Sequence, residues 1–492
     1  MYGLKDKHIK AINSVFSKYP QIEKAILYGS RAKGNYRNGS DIDLTLVGND
    51  LDLTTLFKIE TKLDDLLLPY KMDLSILHKI ENPDLVDHIN RVGITFYLSA
   101  VVQADEKMAS EWKEYILEDF AEINPTERLP KNTIAKKIAM EVLQPFTKRV
   151  ASYSEEEYKG GTKFRNGDTI MARITPSLEN GKTSFVDILE DEEIGFGSTE
   201  YIVFRERKDI SDKDFIYYLT TSPIVRNTAI KSMTGSSGRQ RVQTDVVKRH
   251  KILVPELPIQ KQIAEILTSL DDKIDLLHRQ NKTLETMAET LFREWFVENA
   301  EEEWEEGVLQ DEFDFTMGQS PLGSTFNEDG KGTPMYQGNR DFEFRFPTNR
   351  VYTTDPKRFA LKFDTLISVR APVGAQNMAN EKCCIGRGVA AFRYKSNTDF
   401  YTYTYFKMRS LMDEIKKFND EGTVFGSIGK SDFEKLNVVI PPSELVEKYQ
   451  NEVKPIDDKV ILNCGQISKL EKLRDTLLPK LMSGEVKVVE NE

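Results

Sequence analysis

The chain has 492 residues, of which 39% are hydrophobic and 30% charged, and its formal net charge is −11. This length exceeds what one hydrophobic core organises, so several domains are expected. There is no run of 18 apolar residues and no opening signal-peptide pattern, which argues against a membrane protein and predicts a cytoplasmic one. The acidic total argues against nucleic-acid binding by the chain as a whole, but single domains can still carry a basic face.

Residues 1–104 are predicted to form a small α/β domain. Apolar spacing indicates its elements in the order helix, strand, strand, helix, strand, at 5–19, 25–28, 42–47, 54–68 and 72–77. The polar stretch 103–110 then has the composition of a linker.

Three aspartates of this domain form a candidate metal site. Alternation along the second strand places Asp41 and Asp43 on one face, and Asp73 lies on the next strand. Carboxylates a few ångströms apart repel one another and suit a hard divalent cation such as Mg²⁺. Metal-assisted phosphoryl transfer needs this arrangement, in which a carboxylate also accepts the proton of the attacking hydroxyl.

A candidate phosphate site precedes the aspartates. The first strand ends at Gly29-Ser30-Arg31, ten residues before the Asp-x-Asp pair. Gly29 lets a phosphate approach the backbone, while the Ser30 hydroxyl and the Arg31 guanidinium are suited to hold phosphate oxygens. The combination resembles the minimal nucleotidyltransferases, small antitoxin-like proteins of the polymerase-β superfamily. The resemblance implies ATP or another nucleoside triphosphate as substrate, Mg²⁺ as cofactor, and Asp41, Asp43 and Asp73 as the metal and base carboxylates. Relatives in toxin–antitoxin pairs transfer AMP to a partner protein's hydroxyl, and this sequence does not name the acceptor.

The rest of the chain repeats itself once. Three groups of residues recur about 190 positions later in the same order: Trp112, Leu117 and Asp119 as Trp304, Leu309 and Asp311; Asp168-Thr169 as Asp364-Thr365; and Asp271-Asp272-Lys273 as Asp457-Asp458-Lys459. The repeat predicts two α+β globules, 105–256 and 301–440, each followed by a long helix, 257–300 and 441–492. We therefore expect a multidomain α+β protein with a pseudo-twofold duplicated part.

The two helices have coiled-coil periodicity. Their apolar positions recur at steps of three and four, as at Leu277, Leu284, Ala288 and Leu291 in the first and Val453, Ile456, Val460, Ile467 and Leu470 in the second. Asn281 lies in the first interface, and Asn463 and Arg474 lie in the second. Each helix is longer than one small domain can cover, so pairing of the two helices is favoured over packing on a globule.

Motifs in both globules resemble the target recognition domains of the specificity (S) subunit of type I restriction-modification systems. The second globule carries the most specific ones: Met317-Gly318-Gln319-Ser320-Pro321, Tyr336-Gln337-Gly338-Asn339, Ser368-Val369-Arg370-Ala371-Pro372 and Ile385-Gly386-Arg387-Gly388. The resemblance implies that each globule reads one half of a split, asymmetric site in double-stranded DNA. It also implies that the helices set the spacing and dock methyltransferase subunits, which carry S-adenosylmethionine, and that a motor-nuclease subunit completes the complex. No phosphate loop or adenine-methylation motif occurs in this part, so it is expected to bind rather than catalyse.

Candidate DNA contacts lie where the copies align at a glycine-rich loop. Arg239, Arg241 and Lys430 are suited to phosphates and Gln240 to a base edge. Arg370 lies in a resembling motif. For the loop residues the alternative is a solvated side chain. For Arg370, and for Arg387 in the neighbouring motif, the alternative is an ion pair with a core carboxylate.

The sequence is compatible with three roles for the front domain. In the leading hypothesis a DNA specificity subunit is fused to a nucleotidyltransferase that modifies a partner or the complex itself. In the alternative, an antitoxin-like AMP-transferase uses the duplicated part only to locate DNA. In a third, the front domain is inert.

Overall fold

The computed structural model describes residues 2–37, 39–48, 50–99, 112–236, 238–420 and 427–488, with the side chains of 418–420 left out. The predicted linker at 103–110 lies outside these ranges. The chain divides into two compact units, 1–263 with 480–492, and 264–479. None of the described helices is long and apolar enough to cross a membrane.

The front domain is a four-stranded sheet flanked by helices. In chain order its elements are α1 Asp6–Phe16, β1 Lys24–Tyr28, α2 Gly29–Ala32, β2 Ile42–Val47, α3 Leu53–Asp64, β3 Met72–Ile76, α4 Pro83–Val92 and β4 Ile94–Leu98. The strand order is β3-β2-β1-β4, with β2 parallel to β3 and the other pairs antiparallel. Asp52 caps α3 by accepting from the Thr55 amide, and Asn82 caps α4 ahead of Pro83. The expected helices and strands are all present, with ends shifted by a few residues, and α4 and β4 are additional.

The first globule consists of three small sheets and three short helices. Its strands are β5 Lys113–Ile116, β6 Ala121–Ile123, β7 Ile134–Ile138, β8 Ser154–Glu157, β9 Thr162–Phe164, β10 Thr169–Ala172, β11 Thr183–Phe185, β12 Gly195–Gly197, β13 Tyr201–Glu206 and β14 Lys251–Val254. Its helices are Lys213–Thr221, Pro223–Lys231 and Thr244–Lys248, and a single turn lies at Leu117–Phe120. The sheets have the orders β11-β10-β13-β6, β8-β7-β12-β9 and β14-β5. Because β5 pairs with β14, the first and last strands close the globule.

The second globule repeats this framework. Its strands are β15 Glu305–Val308, β16 Phe313–Met317, β17 Phe326–Asn327, β18 Thr333–Tyr336, β19 Tyr352–Thr353, β20 Phe359–Ala360, β21 Thr365–Ser368, β22 Gln376–Met378, β23 Cys383–Ile385, β24 Val389–Tyr394 and β25 Asn437–Ile440. Its helices are Tyr401–Ser410, Met412–Asp420 and Lys430–Glu434, with a single turn at Leu309–Glu312. The order β22-β21-β24-β16 matches β11-β10-β13-β6, and β15 pairs with β25 as β5 does with β14.

Side-chain contacts show the duplication as clearly as the strand order. Asp168 and Asp364 are both buried before the equivalent strands β10 and β21, and each pairs with an arginine of the neighbouring strand, Arg205 and Arg393. Each carboxylate also accepts from a backbone amide three residues earlier in the chain. Burial raises the pKa of both aspartates, and the arginines oppose that shift.

Two long helices complete the chain, the central helix Leu257–Arg293 and the C-terminal helix Ser443–Ser483. A five-residue π-helical turn follows the central helix at Glu294–Glu298. Within the second unit the long helices pair antiparallel: Arg474 binds Asp271, and the Asn463 amide donates to Asn281 Oδ1 at 2.9 Å. Ile274, Leu277 and Ile467 form the apolar part of this interface. The predicted pairing and both buried asparagines are confirmed. Ala288, Leu291, Val453 and Ile456, however, pack in the core of the second globule, so part of each predicted interface covers a globule.

Candidate functional site

The front sheet brings the predicted carboxylates to one edge. In the parallel pair β2–β3, Asp43 is the register partner of Asp73, so the two side chains are neighbours across the sheet. Asp41 lies one residue before β2, where Lys71 Nζ is 3.6 Å from its Oδ2. Burial first, and then the negative charges of Asp73 and Asp41, raise the pKa of Asp43.

Gly29 fits this site because it has no side chain. Its φ of +72° lies in the left-handed region, and a Cβ built there would be 2.2 Å from Asp43 Oδ2. The backbone turn from β1 into α2 therefore lies directly against the carboxylate. Ser30 follows at the start of α2 and is half-buried.

Arg31 has a different environment from the one expected for a phosphate ligand. It is 2% exposed, and all three guanidinium nitrogens donate to backbone carbonyls, those of Tyr2, Ser40 and Asp41. These bonds fix the loop that leads into β2 and so position Asp41. In this conformation Arg31 is buried and stabilises the loop before β2, so its guanidinium is not accessible to a phosphate.

The donor set suits a divalent cation. Asp43 is crowded by two further carboxylates whose charges disfavour its ionisation, and a cation would relieve that repulsion. Among the described residues no group of three His, Cys, Asp or Glu side chains is already arranged as metal ligands. The three aspartates would therefore have to converge further around an ion.

The candidate DNA-contacting residues of the first globule differ in their exposure and in whether they bind other protein groups. Arg239 is exposed, while the Gln240 backbone is bonded to Thr175, donating to its Oγ1 at 2.9 Å and accepting from its amide at 3.0 Å. Arg241 forms an ion pair with Glu200 at 2.8 Å. That hydrogen bond lowers the pKa of Glu200, so the pair is charged on both sides at neutral pH. Arg241 thus has a protein partner that the sequence did not indicate.

The residues of the second globule that lie in the motifs and the glycine-rich loop also differ in their surroundings. Arg370 and Arg387 are exposed at the ends of β21 and β23. Lys430 begins a short helix and contacts Glu434 at 2.9 Å, an exposed pair that water and salt screen. The part of the glycine-rich loop at 421–426 lies outside the described residues.

A buried arginine of the second globule, Arg345, is not identified by the sequence analysis. Arg345 has no exposed side-chain surface and pairs with Asp457 at 2.9 Å and with Glu285 at 3.2 Å. Its guanidinium carbon lies 3.9 Å from the centre of the Tyr405 ring. A single arginine in a loop gives no sequence signal of burial, because its partners are at least 60 residues away along the chain.

Comparisons with known proteins place both parts of the chain. The model for the type I restriction modification DNA specificity domain matches twice, at residues 109–286 and 301–472, and the model "Polymerase beta, Nucleotidyltransferase" matches residues 10–100. A protein provisionally named as the specificity subunit of the type I restriction enzyme MjaX, from Methanocaldococcus jannaschii, is 29% identical over 338 residues, covering 65% of this chain and 79% of the relative. A protein provisionally named as an adenylyltransferase from the same organism is 40% identical over 78 residues, covering 15% of this chain and 74% of the relative.

The crystal structure of a type I restriction-modification S subunit from M. genitalium has the same fold, with a TM-score of 0.50 at 18% identity, covering 77% of this chain and 97% of the other. The two specificity-domain matches span most of the chain, and the front domain has its own family model and relative. The chain therefore belongs to the type I restriction-modification DNA specificity family, with a polymerase-β-type nucleotidyltransferase domain in front of its two specificity domains.

Proposed function

We propose that this protein is the DNA specificity subunit of a type I restriction-modification complex and that its front domain is a Mg²⁺-dependent nucleotidyltransferase. The observation that carries the first part is the duplicated framework, two globules of matching strand order that match the specificity domain in turn. Each globule reads one half of a split DNA site. Because their surface side chains differ, the two halves differ in sequence.

The antiparallel helix pair is suited to hold the domains attached to it at a fixed spacing. Its interface combines apolar packing with the Asn281–Asn463 hydrogen bond and the Arg474–Asp271 ion pair, which both select one register. A helix pair in one register holds attached domains at one distance, as dimer spacing does in other DNA-binding proteins. In this proposal the same helices dock methyltransferase subunits, which bring S-adenosylmethionine, and a motor-nuclease subunit joins them.

The front domain supplies a second activity in this proposal. A Mg²⁺ ion would be held by carboxylates from the set Asp41, Asp43 and Asp73, and it would neutralise negative charge on the phosphates of ATP. The Gly29-Ser30 turn cradles the triphosphate. Whichever of the three aspartates does not hold the ion accepts the proton of an incoming protein hydroxyl, as that hydroxyl bonds to the α-phosphorus and pyrophosphate leaves. Arg31 acts by positioning the loop before β2, since its nitrogens already bind carbonyls.

The specificity-subunit part is tested by co-expression with methyltransferase subunits from the same source, followed by sequencing for methylated adenine. We expect a complex and a split, asymmetric methylated motif that depends on this chain. A chain that forms no complex and yields no methylation would contradict this proposal.

The transferase part is tested with the full chain, Mg²⁺ and α-labelled ATP in lysate from the source. We expect label on a protein and its loss in Asp43→Asn. The matched control is Asp64→Asn, which removes the same charge from an exposed position at the end of α3. No labelled protein, or equal labelling by Asp43→Asn, would mean that the front domain is inert.

A further inference from the structure

Matching hydrogen bonds identify equivalent positions in the two globules. The Arg173 amide donates to the Glu200 carbonyl at 2.9 Å, and the Val369 amide donates to the Gly388 carbonyl at 2.9 Å. Arg173 therefore corresponds to Val369, and Glu200 corresponds to Gly388.

A second pair of bonds extends the correspondence to the glycine-rich loops. The Val242 amide donates to the Arg173 carbonyl at 2.8 Å, as the Ile428 amide does to the Val369 carbonyl at 3.0 Å. The residues adjacent to these form equivalent isolated bridges, Ile174 with Arg241 and Arg370 with Ser427. Arg241 therefore corresponds to Ser427.

The chemistry at these positions differs between the globules. In the first globule Glu200 binds two arginines, Arg173 at 3.1 Å and Arg241 at 2.8 Å. In the second globule the same three positions hold Val369, Gly388 and Ser427, which carry no charge. The ion-paired cluster of the first globule thus has no counterpart in the second, and the arginines of the second globule stand elsewhere.

Glycines bring three chain segments of the second globule together at this point. A Cβ on Gly318 would lie 2.1 Å from the Gly386 carbonyl oxygen, and one on Gly388 would lie 2.1 Å from the Gln337 carbonyl oxygen. The glycines of the family-like motifs therefore serve backbone contact. The side chains beside them, at Gln319, Gln337 and Arg387, are left to face outward.

Four side chains at this junction are exposed: Gln319, Gln337, Arg370 and Arg387. Within the described ranges no residue forms a hydrogen bond or ion pair with any of the four side chains. The Arg387 backbone is nevertheless held, because its amide donates to Ser320 Oγ at 3.1 Å. In the major groove arginine is among the side chains that form two hydrogen bonds with guanine, and glutamine is among those that form two with adenine.

We propose that this junction, made by Gln319, Gln337, Arg370 and Arg387, is the base-reading surface of the second globule. The inference rests on the proposed DNA function and adds the residues that select bases in one half-site. Arg387 reads a guanine, and the glutamines read adenines. The first globule, whose equivalent centre is the Arg173–Glu200–Arg241 cluster, reads its half-site by a different set of contacts.

The test uses the full chain co-expressed with methyltransferase subunits from its own source, with methylated adenines mapped by sequencing. We expect Arg387→Ala and Gln337→Ala each to relax one base pair in one half of the motif and to leave the other half unchanged. The expected loss of discrimination at that base pair is roughly 5- to 150-fold. Arg387→Lys keeps the charge but lacks the planar fork, so it should relax the same base pair.

The control is Lys331→Ala, which removes a charge from an exposed turn before β18, at the opposite end of that strand from Gln337. It should leave both half-sites intact. If the wild-type chain directs no methylation, the proposed function itself fails. If the wild type methylates and the Arg387 and Gln337 variants keep the original motif, the function stands and the base-reading surface lies elsewhere. Complete loss of methylation in Arg387→Ala and Arg387→Lys alike would also overturn the inference, because a base-reading residue leaves a relaxed target when it is replaced.

Discussion

Replacing Asp457 by asparagine should destabilise the second unit strongly. Asp457 and Arg345 both have no exposed side-chain surface, and their side chains are 2.9 Å apart. Asp457 also accepts from Thr402 Oγ1 at 3.0 Å, and Arg345 donates to Glu285 at 3.2 Å. The cluster therefore joins the second globule to both long helices inside one unit.

The magnitude follows from the cost of leaving a buried charge without its partner, about 3–5 kcal/mol. Asp457→Asn leaves Arg345 with Glu285 as its remaining counter-charge, and Arg345→Met leaves the Asp457 carboxylate with a single hydroxyl donor. For a unit of this size such losses correspond to a fall in Tm of roughly 6–20 °C. The double variant Arg345→Met with Asp457→Asn removes both charges, so it should lose much less than the sum of the single losses.

Thermal unfolding of the full chain, followed by calorimetry, measures these differences. The matched control is Lys417→Met, whose exposed pair with Glu414 should be worth less than about 1 kcal/mol. Single variants that unfold within about 1 kcal/mol of the wild type would refute the reasoning, as would a double variant whose loss equals the sum.

Three further predictions concern the other parts of the chain. In Gly29→Ala the new Cβ would lie more than about 1 Å closer to Asp43 than an ordinary van der Waals contact of 3.4 Å allows, so the site must shift. Nucleotide transfer, measured with labelled ATP, should therefore fall roughly 100-fold, while DNA methylation is retained. Glu200→Gln removes the carboxylate that pairs with Arg173 and Arg241, so DNA binding should strengthen. The slope of the logarithm of the binding constant against the logarithm of salt concentration should steepen by about one for each new phosphate contact. Unchanged binding would contradict this prediction. Arg165 and Arg205 outweigh the burial of Glu127 and hold its pKa low, so its ionised form adds stability above the unfolded pKa of about 4.3. The stability advantage of the wild type over Glu127→Gln in urea unfolding should therefore shrink as the pH falls below about 4, and a constant difference would contradict it.

The sequence predicts the local elements and the duplication well because both follow from short-range patterns. The strand at 42–47 ends where alternation predicts, and the parallel register of β2 and β3 places Asp43 beside Asp73. Gly167 and Phe363, which align in the repeat, both have positive φ, of +89° and +70°. At this turn the repeated sequence therefore also repeats the backbone conformation.

Partners of charged side chains were not predictable, because they depend on distant segments meeting. The motif predicts that Arg31 faces a phosphate, yet residues before and after it in the chain supply carbonyls for its nitrogens. The loop sequence allows Arg241 to contact a DNA phosphate or to be solvated, but it pairs with Glu200, 41 positions earlier in the chain. Periodicity reports which face of an element is apolar, and it does not report which carboxylate an arginine meets.

The central claim, that this chain gives a restriction-modification complex its DNA target, is tested most directly by sequencing methylated adenines in the source genome with and without this gene. We predict a split, asymmetric methylated motif that disappears when the gene is deleted and returns when it is restored. An unchanged pattern of adenine methylation after deletion would contradict the claim.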